Sequence, residues 1–333
     1  ADPIVYTADI FDRESLEAVV QQGIHVNCGS ADMLEQLAER VPGANVTLRI
    51  NPGFGHGHSQ KTNTGGEGSK HGIWHEAIPD VLRRAEWAGL AVTGLHMHIG
   101  SGADLDHLAS VAESLEKTAH DIGRSLTMIS AGGGLPVPYQ KNEKRADLSG
   151  YFTLWDTTRK RLEDSFGHRI RLEIEPGRFL TAEAGILVTE VRATKRQGSK
   201  KYLLVDAGFH TLARPVLYGS YHPMSLCPTS TTPPRELESV AVGGPLCESG
   251  DIFTQEEGGF VSTRDLPPAR VGDLLIIEVA GAYGFVMASN YNSKPFPAEI
   301  LIDKGSSQLV RARQTADELF SGECIPETSV VSG

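Results

Sequence analysis

The stretch Arg171-Leu172-Glu173-Ile174-Glu175-Pro176-Gly177-Arg178 decides the fold class of this chain. Residues 171–174 read as a short strand, and the chemically distinctive residues come directly after its end. The same arrangement recurs upstream. A strand over residues 128–130 runs into Gly132-Gly133-Gly134. A strand over 92–99 carries His96-Met97-His98 and leads into Gly100-Ser101. A strand over 46–50 ends at Asn51-Pro52-Gly53, and two more are predicted at 26–28 and 4–7. Helical patterns lie between them. Asp12 is a good N-cap for a helix to about Gln22, which Gly23 stops. Ser30 caps another through about Arg40. Further helices are predicted near 76–88, 105–122 and 151–166. Strand and helix in alternation mean a parallel α/β fold. Barrels and doubly wound sheets both place ligands at strand C-termini. Contributions from four separate strand ends favour the barrel, where all loops converge. A (β/α)8 barrel needs eight strands and only six are visible, so about two βα units are expected to be missing at the front.

From about Gly185 the texture changes. Segments 188–194, 202–205, 240–242, 274–279, 300–302 and 309–312 are β-rich and separated by turns, and helical periodicity stays weak until 315–320. The expected organisation is an α/β barrel domain over 1–184, a mostly-β domain over 185–325, and a disordered tail over 326–333. A Gly-, His- and Ser-rich loop spans residues 54–72, and a loop that long in a compact domain is usually functional. The chain opens at Ala1 without an initiator methionine and enters a strand almost at once, so an incomplete N-terminus is expected.

Composition narrows the function. A formal net charge of -11 over 333 residues argues against a nucleic-acid or anionic-membrane partner, because both need basic surface. No apolar run approaches a membrane span. Cys28, Cys227, Cys247 and Cys324 are scattered without CxxC spacing and read as reduced thiols, hence a cytoplasmic protein.

The motifs carry chemistry to different degrees. Consecutive glycines at 132–134 let backbone N–H groups approach an anion, or they make a tight turn. Glu175 at a strand end suits the ring nitrogen of a cofactor and Arg178 suits a carboxylate; the alternative is a structural ion pair. His96 and His98 alternate on one strand, so their rings share a face. A metal pair would need further ligands on later strand ends, which offer glycines and Glu175 instead, so no metal is expected. A histidine stacked on a flat cofactor ring is the competing reading. His56, His58, His71 and His75 lie in or beside the long loop and read as solvated or hydrogen-bonded. In the β domain, Asp206-Ala207-Gly208, Arg214-Pro215 with Tyr218, Gly244-Pro245-Leu246-Cys247-Glu248-Ser249-Gly250-Asp251, and Gly281-Ala282-Tyr283-Gly284 place Arg, Tyr, Cys and Glu on loops.

In this order, the motifs Asn51-Pro52-Gly53-Phe54-Gly55-His56-Gly57-His58, His96 to Ser101, Glu175 to Arg178, Gly244 to Asp251 and Gly281 to Gly284 give a specific resemblance. The chain resembles the alanine-racemase-like, fold-type III pyridoxal-phosphate decarboxylases, and among them the bacterial diaminopimelate decarboxylases, from about Ile4 to Phe320. The resemblance implies a pyridoxal 5'-phosphate (PLP) cofactor on a TIM-type (β/α)8 barrel. It implies that His98 stacks on the pyridine ring, and that Ser101, Gly134 and the Gly177 backbone in Glu175-Pro176-Gly177-Arg178 hold the phosphate. Glu175 would bond the pyridine nitrogen and keep it protonated, so that the ring serves as an electron sink. Tyr283 would contact cofactor and substrate. Cys247 would donate the proton after loss of carbon dioxide. Cys247 and Glu248 would act across a homodimer interface, giving two shared sites.

Charge speaks to the substrate. The far end of meso-diaminopimelate carries a carboxylate and an ammonium. Arg178, Arg214 and Tyr218 suit the carboxylate, and Glu248 suits the ammonium. An ornithine decarboxylase has no use for two arginines there. The expected reaction yields L-lysine and CO2, the last step of lysine biosynthesis. Another fold-type III decarboxylase is the alternative within enzymes. The family also anchors its cofactor through a lysine on the first barrel strand, placed upstream of Ile4. Lys61, Lys70, Lys195, Lys200, Lys201 and Lys294 do not match that position. A non-catalytic fragment or relative is therefore the reading from a different class.

Overall fold

The computed structural model describes residues 4–55, 63–100, 104–229 and 236–326. His56, His58, Lys61, Ser101 and the expected tail beyond Pro326 lie outside the described residues. The chain divides into two compact units, residues 1–138 with 142–180, and residues 139–141 with 181–333.

The first unit runs β1 (Val5–Ala8), α1 (Arg13–Gln22), β2 (His25–Cys28), α2 (Ala31–Arg40), β3 (Asn45–Asn51), β4 (Ile73–Trp74), α3 (Ile78–Trp87), β5 (Ala91–Met97), α4 (Leu105–Ile122), β6 (Met128–Ser130), α5 (Leu148–Phe166), β7 (Arg171–Glu173) and α6 (Gly177–Thr181). Local chemistry sets many of these bounds. Asp12 and Ser15 form a reciprocal capping box at the start of α1, and Gly23 ends that helix in the left-handed conformation. Asp104 and Asp147 cap the two long helices α4 and α5 through their side chains. Ser30 occupies the N-cap position of α2 but makes no side-chain capping bond. The helix expected over 76–88 begins as a 3-10 turn, with α3 proper starting at Ile78.

All strand pairings in this unit are parallel, in the order β1-β2-β3-β5-β6-β7, with the short β4 beside β3. The order follows the chain without reversal. That is the winding of a barrel, because a doubly wound sheet switches direction. Thr7 of β1 and Glu175, just past β7, stand at opposite ends of this order. Their side chains are nonetheless 3.0 Å apart, so the sheet curls strongly. Strand residues alternate between faces. Val26, Leu48, Ile50, Leu95, Met97 and Ile129 join the apolar core with Met33, Leu34, Val81, Leu115, Trp155 and Leu162 of the helices. The intervening positions are polar yet buried: Asn27, Thr47, Arg49, His96 and Ser130. Buried polar side chains need partners: Asn27 donates to Thr7, Thr47 pairs with His25, His96 donates to Glu175, and Ser130 accepts from the Gly132 amide.

The second unit holds β8 (Leu187–Gln197), β9 (Lys200–Val205), α7 (Arg214–Tyr218), β10 (Met224–Cys227), β11 (Glu238–Gly243), β12 (Arg264–Leu266), β13 (Leu274–Ile277), β14 (Glu299–Asp303), β15 (Ser306–Arg311) and α8 (Ala316–Leu319). Six strands form one sheet in the order β10-β13-β8-β9-β11-β12, antiparallel except for the parallel β9–β11 pair. Val191, Leu203, Val205, Val242, Phe253 and Leu275 fill its core. The β14–β15 hairpin stands apart as a two-stranded ribbon. Two expectations need correction. Arg214 and Tyr218 were expected on a loop but bound the short helix α7, and Arg178 lies in α6. Helices of five residues show too little periodicity to be read from sequence.

Candidate active site

In the first unit the site is built where β1, β2, β3, β5 and β7 end. β5 stops at Met97, so His98 leaves the strand and sits at its mouth. The glycine run after β6 then packs tightly against that mouth. A Cβ on Gly132 would lie 2.6 Å from the Met97 carbonyl oxygen, one on Gly133 2.8 Å from that of Glu175, and one on Gly134 2.6 Å from that of Gly100. Gly132 and Gly134 also have positive φ, at 62° and 102°. These glycines are demanded by the close approach of neighbouring strand ends. At Gly177 a Cβ would meet nothing within 4 Å, so no contact inside the protein requires glycine there.

Glu175 is the electrostatic centre. Its amide donates to the Gly132 carbonyl at 2.8 Å, which ties it to the glycine turn. Thr7 Oγ1 donates to Oε1 at 3.0 Å, and His96 Nε2 donates to Oε2 at 3.0 Å. Asn27 Nδ2 donates in turn to Thr7 Oγ1 at 3.3 Å. Burial opposes the charge, but the His96 hydrogen bond and charge, the Thr7 hydroxyl and nearby His98 outweigh it and hold the carboxyl at about 2. The side chain remains 40% exposed, so the ionised group faces an open side. His98 is pushed the other way: burial first, then His96 and Arg49, lower it to about 4, so at neutral pH the ring is uncharged. Its Nδ1 is buried and has no hydrogen-bond partner among the described residues.

Three participants escaped the sequence reading. Arg49 on β3 is buried, and burial lowers its pKa against the pull of Asp9 and Glu175. Asp9, just after β1, contacts His71 Nδ1 at 2.5 Å and accepts from the Gly72 amide at 2.8 Å. Asn51 at the end of β3 fastens the long loop: its Nδ2 donates to the Gly66 and His71 carbonyls, and its Oδ1 accepts from the amides of Gly53 and Gly66. Asn51 stands in a quoted motif, but its partners lie 15 and 20 residues on and no local pattern announces them.

In the second unit, Arg214 is 1% exposed. Its Nη1 donates to the Tyr139 hydroxyl at 2.8 Å and to His222 Nε2 at 3.3 Å, and its Nη2 donates to Ser220 Oγ at 3.2 Å. His222 Nδ1 donates to the Glu278 carbonyl at 3.0 Å, so Nε2 is the nitrogen that accepts from the guanidinium. Tyr218 closes α7 at half burial, and Gly219 in the left-handed conformation terminates it.

Cys247 and Glu248 are exposed on the loop after β11. The Cys247 amide donates to Asn292 Oδ1 at 3.0 Å, and the Tyr291 hydroxyl donates to Glu248 Oε2 at 3.3 Å. Asp251 clasps the loop base. Its Oδ2 accepts from the Leu246 amide at 2.9 Å, its Oδ1 from the Phe209 amide at 2.8 Å, and its carbonyl from the Gly244 amide at 2.9 Å. Tyr283 adopts a positive φ of 56°, a conformation uncommon outside glycine. A Cβ at Gly281 would lie 2.0 Å from the Thr181 carbonyl oxygen, so the turn before Tyr283 requires glycine. No helix is long and apolar enough to cross a membrane among the described residues.

Comparisons with known proteins bear on this arrangement. Residues 1–182 match the family model for the pyridoxal binding domain of pyridoxal-dependent decarboxylases. The diaminopimelate decarboxylase of Escherichia coli K12 is 50% identical over 329 residues, which cover 97% of this chain and 78% of that protein. That of Streptomyces coelicolor is 51% identical over 326 residues, covering 98% and 74%. A crystal structure of a diaminopimelate decarboxylase superposes with a TM-score of 0.91 at 51% identity, covering 95% of this chain and 76% of that one. The M. jannaschii diaminopimelate decarboxylase in co-complex with L-lysine gives a TM-score of 0.85 at 28% identity, covering 97% and 74%. With the family model matching more than half the chain and half the residues identical to relatives of which it covers 78% and 74%, this chain belongs to the pyridoxal-dependent decarboxylases, in the diaminopimelate decarboxylase family.

Proposed function

We propose that this chain decarboxylates meso-2,6-diaminopimelate to L-lysine and CO2 with pyridoxal 5'-phosphate as cofactor. One observation carries the chemistry: Glu175 is a carboxylate held ionised, at about 2, at a strand end beside a neutral His98 and a glycine turn. That donor set fits a protonated pyridine ring. When bound, the cofactor supplies a pyridinium that takes up the electron pair left on the substrate as CO2 departs.

The residues of the chain do the rest. Glu175 accepts from the ring N–H and keeps that proton in place, because an ionised carboxylate is the stronger acceptor. His98, uncharged and flat, stacks on the ring. Ser101, Gly134 and the backbone after Pro176 hold the phosphate. Arg178, Arg214 and Tyr218 receive the far carboxylate of the substrate, and Glu248 its far ammonium. Tyr283 lies against cofactor and substrate. Cys247 Sγ–H delivers a proton to the carbon that has lost CO2.

Cys247 and Glu248 are exposed, as suits groups that serve the site of a partner copy, so the working unit is a homodimer with shared sites. Residues 1–184 form the cofactor domain and 185–325 the β domain. Four unpaired cysteines suit a reducing cytoplasm, and the net charge of -11 suits a protein with neither nucleic acid nor membrane as partner. The test is a competition. Protein loaded with pyridoxal phosphate is offered meso-diaminopimelate, L-ornithine and L-arginine, and release of CO2 and of L-lysine is followed. Preference for diaminopimelate supports the reading; preference for ornithine or arginine overturns it.

A further inference from the structure

Glu175 is held from behind by Thr7 and Asn27, which no motif singled out, and by His96, to which the sequence assigned no role towards Glu175. Thr7 on β1 donates to one carboxylate oxygen and His96 on β5 to the other, both at 3.0 Å. Asn27 on β2, 1% exposed, donates to Thr7 Oγ1 at 3.3 Å and so turns the Thr7 hydroxyl hydrogen towards Glu175. A carboxylate accepts only, so the proton in the His96–Glu175 bond belongs to His96 Nε2. The imidazole is 1% exposed, and its Nδ1 has no partner among the described residues, so Glu175 is the one group this buried ring serves. The three donors come from three strands, each placed by the sheet register.

We propose that His96 and Thr7, with Asn27 behind Thr7, are positioning residues that fix the Glu175 carboxylate in a single orientation towards the cofactor ring. The inference rests on the PLP reading above and deepens it. Two fixed donors leave the outward lone pairs of each oxygen for a ring N–H, and they stabilise the charged form without neutralising it. The other charged or titratable groups bearing on this centre are Arg49 from β3, Asp9 after β1 and His98 after β5. Among the described residues the side-chain hydrogen bonds to this carboxylate come from Thr7 and His96, so its orientation falls to them.

The test compares His96→Leu, His96→Gln, Thr7→Val and Thr7→Ser with the parent protein. Three quantities are read: the dissociation constant of pyridoxal phosphate by fluorescence titration, its dependence on pH, and the absorption spectrum of the bound cofactor. Thermal unfolding in the absence of cofactor reports whether each variant folds. Loss of a hydrogen bond to a charged group predicts cofactor binding about tenfold weaker or worse in His96→Leu. The acid limb of its binding curve should move up towards the ordinary carboxylate range, with a changed absorption band. His96→Gln and Thr7→Ser, which keep a donor, should restore most of the affinity and the spectrum. Should His96→Leu fail to fold, Thr7→Val carries the same comparison at the other oxygen. A folded His96→Leu with parental affinity, pH profile and spectrum overturns the proposal, as does a His96→Gln no better than His96→Leu. Parent protein that binds no pyridoxal phosphate overturns instead the reading of function on which this one rests.

Discussion

Replacing Asp251 by alanine should loosen the Cys247 loop more than any other single change outside the loop's tip. Asp251 is 3% exposed and accepts two backbone N–H groups, from Leu246 and Phe209, through separate oxygens. Deleting the carboxylate orphans both donors. At about 1–3 kcal/mol for each buried unsatisfied group, the loss is about 2–6 kcal/mol. Part of it is returned because burial, with Glu248 adding, raises the Asp251 pKa and makes its charge costly to keep. Asp251→Asn keeps one acceptor but turns an N–H towards the other amide, so it should fall between alanine and the parent. The structure also predicts where the damage goes. Leu246 immediately precedes Cys247, so the loop should open locally before the β sheet melts. Urea denaturation gives the global loss. Amide exchange at Leu246 and Phe209, and the rate of alkylation mapped to Cys247 by mass spectrometry, give the local one. Asp251→Ala with stability within about 0.5 kcal/mol of the parent, and unchanged Cys247 alkylation, would refute the assignment of Asp251 as the clasp of this loop.

Gly133→Ala drives a Cβ to 2.8 Å from the Glu175 carbonyl oxygen, so it should cost about 1–3 kcal/mol and weaken cofactor binding more than its stability loss explains; a pyridoxal phosphate titration beside a thermal melt separates the two. Tyr139→Phe removes one bond to the buried Arg214 and should cost about 1 kcal/mol in urea denaturation. Arg214→Lys keeps the charge but loses the fork, and should raise KM for diaminopimelate about tenfold or more in steady-state assays. Acid stability should fall in two stages. His98, at about 4 when folded, is depressed from 6.5, so the unfolded chain takes the proton first and stability drops as pH falls from about 6.5 to about 4. Glu175, at about 2 when folded, is depressed from 4.5, and its contribution, present above about 4.5, is lost between about 4.5 and about 2. Unfolding midpoints against pH for the parent and His98→Phe should diverge in the first window, between about pH 6.5 and about 4.

Much of the fold was legible because its signals are local. A capping aspartate and a left-handed glycine sit within one turn of the helix they bound, so the ends of α1 could be read directly. Parallel strands of period two with motifs at their ends announced the α/β unit. The two-residue β4 and the five-residue α6 and α7 could not be read, because so few residues carry no period. Of the candidate site residues, those in glycine-rich motifs stood out by composition. Arg49 and Tyr139 did not, and Asn51 and Asp251 stood in such motifs without a role, since each looks ordinary until its partner is known.

The sequence by itself determined the alternation of elements, the family, and the set of residues able to bind a flat anionic cofactor and a doubly charged amino acid. The folded chain decided which of these act together and in what state of charge. Thr7 and Glu175 are separated by 168 residues, and only the curvature of the sheet brings a hydroxyl from the first strand to a carboxylate beyond the last. The charge of Glu175 depends first on His96 and then on that meeting, because burial alone would push its proton back on. Hydrogen bonding acts over about 3 Å in space and takes no account of distance along the chain.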